Sequence, residues 1–284
     1  AFIARIVGDA ASHAEASFGD FIVRASSQGS WGNRVFVKIE DSTHVGFRLR
    51  IAYWAKIASP FDPFTDSLTL PRPDQIEDFD GLVADESSPN FYGKVLPFLD
   101  LGKGEGIQGP ESSAFAILVR RANAGAGQLP TNAAHFLSGG ADDVSPLDVD
   151  DYAGARPEPQ GLAALELEAY REVALVYAPN VSREIAKKIV NHCERMRFRF
   201  AIIDCPKGVS SVSEITPRSQ IADSEYAAFY YPWIQTPGLS GGAPKLVPPG
   251  GCVLGIYART DAERGVSKAP ANEIIRGALA LEFD

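Results

Sequence analysis

The sequence is poor in long apolar runs, in cysteine and in clustered positive charge, and each shortage excludes a class of protein. No stretch of about 18 apolar residues occurs, so the sequence predicts no membrane span. Cys193, Cys205 and Cys252 are an odd number without the spacing of a disulfide framework, and we interpret them as reduced thiols. The net charge of −9 comes without a basic run, which argues against nucleic-acid binding.

The composition that remains is that of a globular protein. Hydrophobic residues make up 45% of the chain and charged residues 22%. The 284 residues suffice for one large domain or two ordinary ones. The 26 glycines and 20 prolines predict long ordered loops without reaching a low-complexity composition. Residues 1–7 lack the parts of a signal peptide and have the pattern of a strand.

The first half of the chain has the two-residue alternation of β-strands. In 45–54, for example, Phe47 and Leu49 alternate with Arg48 and Arg50. Strands are predicted at 2–7, 21–25, 34–39, 45–54 and 114–120, and a short helix at 90–98. This half of the chain is therefore expected to be rich in β-structure.

In the second half the pattern changes to alternating strands and helices. The clearest helix is 182–196, where Ser182 is placed to cap the first turn. Further helices are predicted near 147–153, at 161–166 and from about Ala271, and strands at 173–177, 198–204 and 226–233. This order predicts a mixed α/β (α+β) fold with a largely parallel sheet flanked by helices. We expect an α/β domain of 1–19 and 134–284 that carries a β-rich insert at 20–133.

One short motif resembles the nucleophile elbow of hydrolases. Gly238-Leu-Ser240-Gly-Gly242 matches G-x-S-x-G, a motif that requires a helix directly after the serine. Three prolines occur among the next seven residues and oppose such a helix. We interpret the segment as a loop.

A second motif partly matches a dinucleotide-binding loop. Gly125-Ala-Gly127 follows a predicted strand, but Pro130 stands where the third glycine is needed. The chain also has no Walker-type Gly-Lys-Ser/Thr sequence. The sequence therefore gives little support to nucleotide binding.

Clustered acidic residues and one His-Cys pair are the candidate metal ligands. The acidic residues are Asp142, Asp143, Asp148, Asp150 and Asp151. Their spacing is not that of an EF-hand, and helix capping with solvated charge explains them better. His192 and Cys193 are adjacent on a helix and point about 100° apart, so they do not clamp one ion.

A series of short motifs, in a fixed order from Arg24 to Ala278, resembles the contractile tail sheath proteins of phages and related injection systems. One of them is Gly255-Ile-Tyr-Ala-Arg-Thr-Asp261. Two departures are Gly81, where the family commonly has Asn, and Ser267, where it has an aromatic residue or His. The family-motif residues, which the resemblance implies to be structural, are Trp31, Gly32, Asn33, Gly139, Gly140, Asp204, Pro206, Tyr231, Pro232, Trp233, Pro248, Pro249, Gly250, Arg259, Asp261, Lys268, Pro270 and Asn272.

The resemblance implies a mechanical function without catalytic residues, cofactor or metal. Sheath subunits polymerise around an inner tube and contract to drive the tube through a target envelope. The implied partners are further copies of the chain, the tube protein, and baseplate and terminator or cap proteins, with neither nucleic-acid binding nor membrane insertion. Such a protein is assembled in the bacterial cytoplasm and belongs to a phage virion tail or to a phage-tail-like injection particle.

The same resemblance predicts that this chain is a core fragment, since family members carry arms at both ends that add strands to neighbouring subunits. Two alternatives remain. An α/β enzyme, hydrolase-like in class, would have its site at the strand C-terminal ends near Asn180, Cys205 and Trp233. A tube or baseplate component would be shorter and mainly β.

Overall fold

A computed structural model describes residues 2–58, 61–65, 70–104, 106–125, 127–155, 159–209, 211–238 and 242–282. Contacts divide the chain into two compact units, Val7–Pro146 and Ala1–Ile6 with Leu147–Asp284. The mixed α/β class is confirmed. The domain boundaries expected from the sequence, at 19/20 and 133/134, stay a prediction.

The 7–146 unit consists of two four-stranded sheets. Its strands are β1 Glu15–Phe18, β2 Phe21–Ala25, β3 Val35–Asp41, β4 Phe47–Tyr53, β5 Gln75–Leu82, β6 Phe98–Asp100, β7 Ala116–Arg120 and β8 Ala133–Phe136. A 3₁₀ turn at Ser30–Arg34 precedes β3, and helix α1, Tyr92–Val95, precedes β6. The sheet orders are β1-β2-β7-β6 and β5-β4-β3-β8, and only the β6–β7 pairing is parallel among these described strands.

The alternation seen in the sequence sets the faces of these sheets. On β4, Phe47, Leu49 and Ile51 are buried, while Arg48 and Arg50 are only partly buried. Both sheets contribute to one apolar cluster, in which several side chains are fully buried. Because burial of an apolar side chain stabilises a fold by about 1.5–3 kcal/mol, this cluster is the main source of stability in the unit.

The 147–284 part forms two three-stranded sheets and most of the helices. The strands are β9 Leu175–Tyr177, β10 Phe200–Asp204, β11 Ala227–Tyr230, β12 Ile234–Thr236, β13 Lys245–Val247 and β14 Ala280–Leu281. The helices are α2 Val149–Ala153, α3 Gly161–Leu165, α4 Arg183–Met196, α5 Pro217–Gln220 and α6 Gly250–Arg264. The sheet β11-β10-β9 is parallel, and the sheet β13-β12-β14 is antiparallel.

Helix α4 confirms the clearest helix prediction. Its N-cap is Ser182, whose side chain accepts a hydrogen bond from the Ile185 N–H at 3.3 Å. Ile185, Ile189 and Cys193 are buried on one face, in the same cluster as the central strand β10. Arg197 ends the helix in the left-handed conformation, with φ 63°.

Three details of the predicted fold are corrected. The parallel sheet is small, because parallel pairing is confined to β9–β11 and to β6–β7 among the described strands. Residues 2–7 do not form a strand: Phe2 packs its ring edge-to-face on Tyr170 at 5.3 Å, and β9 pairs only with β10. No helix begins at Ala271, because Asn272 has a left-handed φ of 59° that a right-handed helix does not allow.

Within the described residues, none of the helices combines the length and the apolar composition needed to cross a membrane.

Candidate functional site

The C-terminal end of β10 carries a carboxylate that joins three elements. Asp204 Oδ1 accepts a hydrogen bond from the Gly250 N–H in the first turn of α6, at 2.7 Å. Asp204 Oδ2 accepts from the Tyr177 hydroxyl at the end of β9, at 2.8 Å, and from the Asn180 N–H at 3.3 Å. A negative charge is favourable at a helix N-terminus, so the carboxylate occupies the place where an α/β protein often binds an anion.

The electrostatics of this junction follow from its burial. Burial raises the pKa of Asp204, and the three hydrogen bonds oppose that shift. Burial and the bond to Asp204 also raise the pKa of Tyr177, so its hydroxyl keeps its proton and stays a donor. In the part of the chain that is described, no serine, threonine or histidine side chain bonds to Asp204. The arrangement fixes the strand ends to α6 and positions no nucleophile.

The close approach of α6 to the strand ends requires glycine at position 250. A Cβ added to Gly250 would lie 2.6 Å from Asp204 Oδ1 and closer still to the Tyr177 ring. The adjacent Gly251 is less constrained, since its Cβ would find only the Tyr177 ring at 3.8 Å. The Pro-Pro-Gly motif thus ends at the one residue whose missing side chain lets the helix dock.

Trp233 and Cys205 form a second fixed contact beside this junction. The Trp233 indole N–H donates to the Cys205 carbonyl oxygen at 2.9 Å, and both residues are buried. The Lys207 ammonium lies 5.7 Å from the centre of the Trp233 ring. Burial raises the pKa of the Cys205 thiol to about 11, so the thiol is protonated at neutral pH and is a poor nucleophile.

One ion pair and one hydrogen bond organise the chain after α6. Arg259 Nη2 lies 3.3 Å from Glu273 Oε2, which ties the helix to the following segment. The Lys268 ammonium donates to the Ala269 carbonyl oxygen at 2.6 Å. These contacts place Arg259 and Lys268 in structural positions and do not join them to Asp204.

The family-motif residues of the 7–146 unit meet around one hydrogen-bonded clamp. The Asn33 amide accepts from the Gly140 N–H at 2.9 Å and donates to the Gly140 carbonyl at 2.8 Å. A Cβ on the buried Gly32 would lie 2.8 Å from the Cβ atoms of both Ala14 and Ala25. The clamp holds two loops that are 107 residues apart in sequence.

The remaining family-motif residues lie near these contacts or on the surface. The Trp31 ring packs edge-to-face on Tyr53 at 6.0 Å. Gly139 has φ +82°, and Tyr231 is 45% exposed. Pro206 directly follows Cys205, and a cis peptide bond joins Tyr231 to Pro232. Pro248 and Pro249 directly precede α6, and Pro270 and Asn272 follow Lys268.

The acidic run behaves as a capping sequence. Asp148 accepts from the N–H groups of Asp150 and Asp151 and forms a capping box at the start of α2. The Asp142 carboxylate accepts from the Ser30 N–H at 3.1 Å. Over the described ranges, no group of three or more His, Cys, Asp or Glu residues is placed to hold a metal ion. Ser240 of the elbow-like motif and Ala126 of the glycine loop lie outside the described residues.

An apolar groove of about 810 Å³ lies beside the outer edge of β9. The extended residues 2–6 form part of its wall, together with residues of β9, α3 and α6. Asp261, one of the family-motif residues, is at its margin. The groove is mainly apolar and brings no catalytic set of side chains together.

Sequence reasoning identified Asp204 and Gly250 but missed the partner that joins them. Tyr177 was placed in a predicted strand and given no partner, and its hydroxyl contact with Asp204 spans 27 positions. It also missed the buried pair of His192 and Arg199 and the contact of His192 with the exposed Glu166. A usable signal was a tyrosine at the end of a buried strand, directly before the Ala-Pro-Asn turn.

Comparison with known proteins gives one family match. The family model described as the phage tail sheath protein central domain matches residues 149–284. No curated protein sequence matches the chain.

Several solved structures are similar at low identity. A chain in the cryo-EM structure of the anti-feeding prophage baseplate is 22% identical, with a TM-score of 0.34, over 62% of this chain and 36% of that one. The sheath tail protein of Listeria innocua is 14% identical (TM-score 0.38, 84% of this chain, 40% of that chain). The sheath tail protein of Desulfitobacterium hafniense is 13% identical, with a TM-score of 0.34, over 84% of this chain and 41% of that one. The chain thus spans about two fifths of the length of these proteins.

Proposed function

The chain belongs to the phage tail sheath family through residues 149–284, and we propose that it is a subunit of a contractile sheath that polymerises around an inner tube. In this proposal the sheath contracts and drives the tube through a target envelope. The energy comes from the difference between two subunit packings, so no nucleotide is needed. A difference of a few kcal/mol per subunit, repeated over the lattice, would be sufficient.

The observation that carries the proposal is the way the family-motif residues are used. Asp204 and Gly250 join a strand end to a helix, and Asn33 joins two distant loops. Each of these residues, through its side chain or its backbone N–H, holds elements of its own unit together. Such rigid units suit a building block that is moved as a body between two packings.

The proposed partners are those of an assembling tail. They are further copies of this chain, an inner tube protein, and baseplate and terminator or cap proteins. We place assembly in the bacterial cytoplasm and the mature particle in a phage tail or an injection particle. Terminal arms that add strands to neighbouring subunits would link the lattice.

An α/β enzyme is the second candidate, and one observation favours it. A carboxylate with a raised pKa at the C-terminal end of a parallel strand is a common feature of active sites. Against it, Asp204 accepts three hydrogen bonds from its own chain. We therefore propose that the protein has no enzymatic activity.

Electron microscopy of the full-length product tests the proposal directly. The protein is expressed with its genetic neighbours, and in parallel without them, and both preparations are examined by negative stain. Hollow, ribbed cylinders in the first preparation are expected, with short, wide tubes where contraction has occurred. Monodisperse globules under every condition would exclude the sheath function.

A further inference from the structure

His192 lies buried on α4 with both ring nitrogens engaged. The Arg199 guanidinium nitrogen Nη1 lies 2.8 Å from His192 Nε2, and Glu166 Oε1 lies 3.2 Å from His192 Nδ1. His192 and Arg199 are each only 2% exposed. Because a guanidinium has donors only, Nε2 must carry the lone pair and Nδ1 the proton. The geometry therefore requires the neutral Nδ1–H tautomer.

Arg199 also holds the backbone that leads from α3 to β9. Its Nη2 donates to the Leu165 carbonyl at 2.6 Å and to the Tyr170 carbonyl at 3.2 Å. These two carbonyls flank 166–169, the first half of residues 166–173, which we call the 166–173 segment. Its regular structure is a single 3₁₀ turn, Glu168–Tyr170. Arg199 thus ties the start and the middle of this segment to the end of α4 and the start of β10.

The charges around the imidazole are unevenly balanced. Arg199 approaches from the residues before β10, Arg195 from the same helix, and Glu166 from the segment after α3. Burial and the positive charge of Arg199 lower the pKa of His192, and Glu166 opposes this shift. Protonation at Nε2 would turn an acceptor into a second donor and bring two positive charges together in a buried site.

We propose that His192 and Arg199 form an acid-sensitive lock, in which protonation of His192 displaces Arg199 and releases the 166–173 segment. The release reaches the apolar groove beside β9, because Leu165, Glu172 and Val173 line it. The lock therefore controls one wall of the groove.

The direction of the pH effect follows from proton linkage. The pKa of His192 is lower in the folded chain than its usual value near 6.5, so the folded chain binds this proton less readily than the unfolded chain does. The stabilisation from the neutral lock is complete above about pH 6.5 and is lost as the pH falls through that value toward the lowered pKa.

Amide hydrogen exchange of the whole chain tests the proposal. Exchange of the 166–173 segment is measured at about pH 7.5 and about pH 5.5, and each rate is normalised to that of the unfolded chain at the same pH. We expect the normalised protection in the wild type to fall by up to about tenfold at the lower pH, the most that binding of one proton by a group with an open-state pKa near 6.5 contributes one pH unit below that value. In His192→Gln the amide oxygen still accepts from Arg199 but does not titrate, so protection should be equal at both values.

A matched control and a second measurement keep the outcome decisive. His44 is exposed, so in His44→Gln the protection of the 166–173 segment should fall at the lower pH as it does in the wild type. If the wild type and His192→Gln respond equally to pH, the lock does not exist. ¹⁵N spectra of the wild-type imidazole are independent of any variant. An Nε2–H tautomer, a pKa of 6.5 or above, or a protonated His192 with the segment still protected would each overturn the proposal.

Discussion

A single hydroxyl decides how well the Asp204 carboxylate is accommodated at the strand ends. The Tyr177 hydroxyl donates to it at 2.8 Å, whereas the Tyr230 hydroxyl, on β11, lies 2.9 Å from the neutral Tyr257 hydroxyl. Hydrogen bonds to a charged group contribute about 1.5–3 kcal/mol, and neutral pairs about 0.5–1.5 kcal/mol. The two tyrosines therefore form a natural comparison.

We predict that Tyr177→Phe lowers the free energy of unfolding by about 1.5–3 kcal/mol at neutral pH, and the control Tyr230→Phe by about 0.5–1.5 kcal/mol. Urea denaturation of the wild type and the two variants measures both values.

The Tyr177 bond lowers the pKa of Asp204, so its loss raises that pKa further. A carboxyl whose pKa is higher in the folded than in the unfolded chain stabilises the fold at low pH, and this contribution to the free energy of unfolding is lost as the pH rises through the folded-state pKa. The deficit of Tyr177→Phe should therefore shrink toward low pH, and a deficit that grows there would contradict the assignment.

Single-residue roles could be predicted from the sequence only where the partner is local. Ser182 caps α4 through a residue three positions away, and the prediction is confirmed. His192 was considered with its neighbour Cys193 and given no partner, because Glu166 lies 26 positions away and Arg199 beyond the end of the helix. Tertiary contacts of this kind leave no periodic signal in the chain.

At the scale of elements, helix α6 shows how a tertiary contact overrides local propensity. None of the helices predicted from the sequence covers 250–264, where Gly250, Gly251 and Gly255 all disfavour a helix. The bond from the Gly250 N–H to Asp204 satisfies one of the free donors at the helix start. The opposite error occurred at residues 2–7, where the sequence has a short apolar run but these residues form no ladder with β9.

Two glycine substitutions in α6 separate docking from propensity. We predict that Gly250→Ala lowers the free energy of unfolding by about 1–3 kcal/mol, because the new Cβ overlaps Tyr177 and Asp204. Gly255→Ala should raise it by about 0.5–1 kcal/mol, because the site is exposed, mid-helix, and has no atom within 4 Å of the new Cβ. Thermal and urea unfolding of the two variants measure the difference. Equal effects would mean that α6 does not dock through Gly250.

At the scale of the whole molecule, the mixed α/β class could be predicted because each half has its own pattern of periodicity. The extent of the β-rich part is harder to infer. The sequence places an insert at 20–133, whereas contacts group 7–146. The two ranges differ by β1 and by nearly all of β8, which pair with β2 and β3. The pairing of β8 with β3 joins residues that are distant in sequence, such as Phe136 and Phe36, so composition and turn signals do not mark that boundary. Strand β1 is the hairpin neighbour of β2, and the predicted boundary at 19/20 falls in the turn between them.

A comparison of two fragments decides which range is an independently folding unit. We predict that 7–146 unfolds cooperatively and gives dispersed amide resonances, because it keeps both four-stranded sheets. The fragment 20–133 should lose this behaviour. It lacks Phe18 and Leu137, each 1% exposed in the apolar cluster, and it lacks Gly140, the partner of Asn33. Removing two large buried side chains costs several kcal/mol, about as much as the total stability of many small domains. Equally cooperative unfolding of 20–133 would place the domain boundary where the sequence suggested and make the outer strands dispensable.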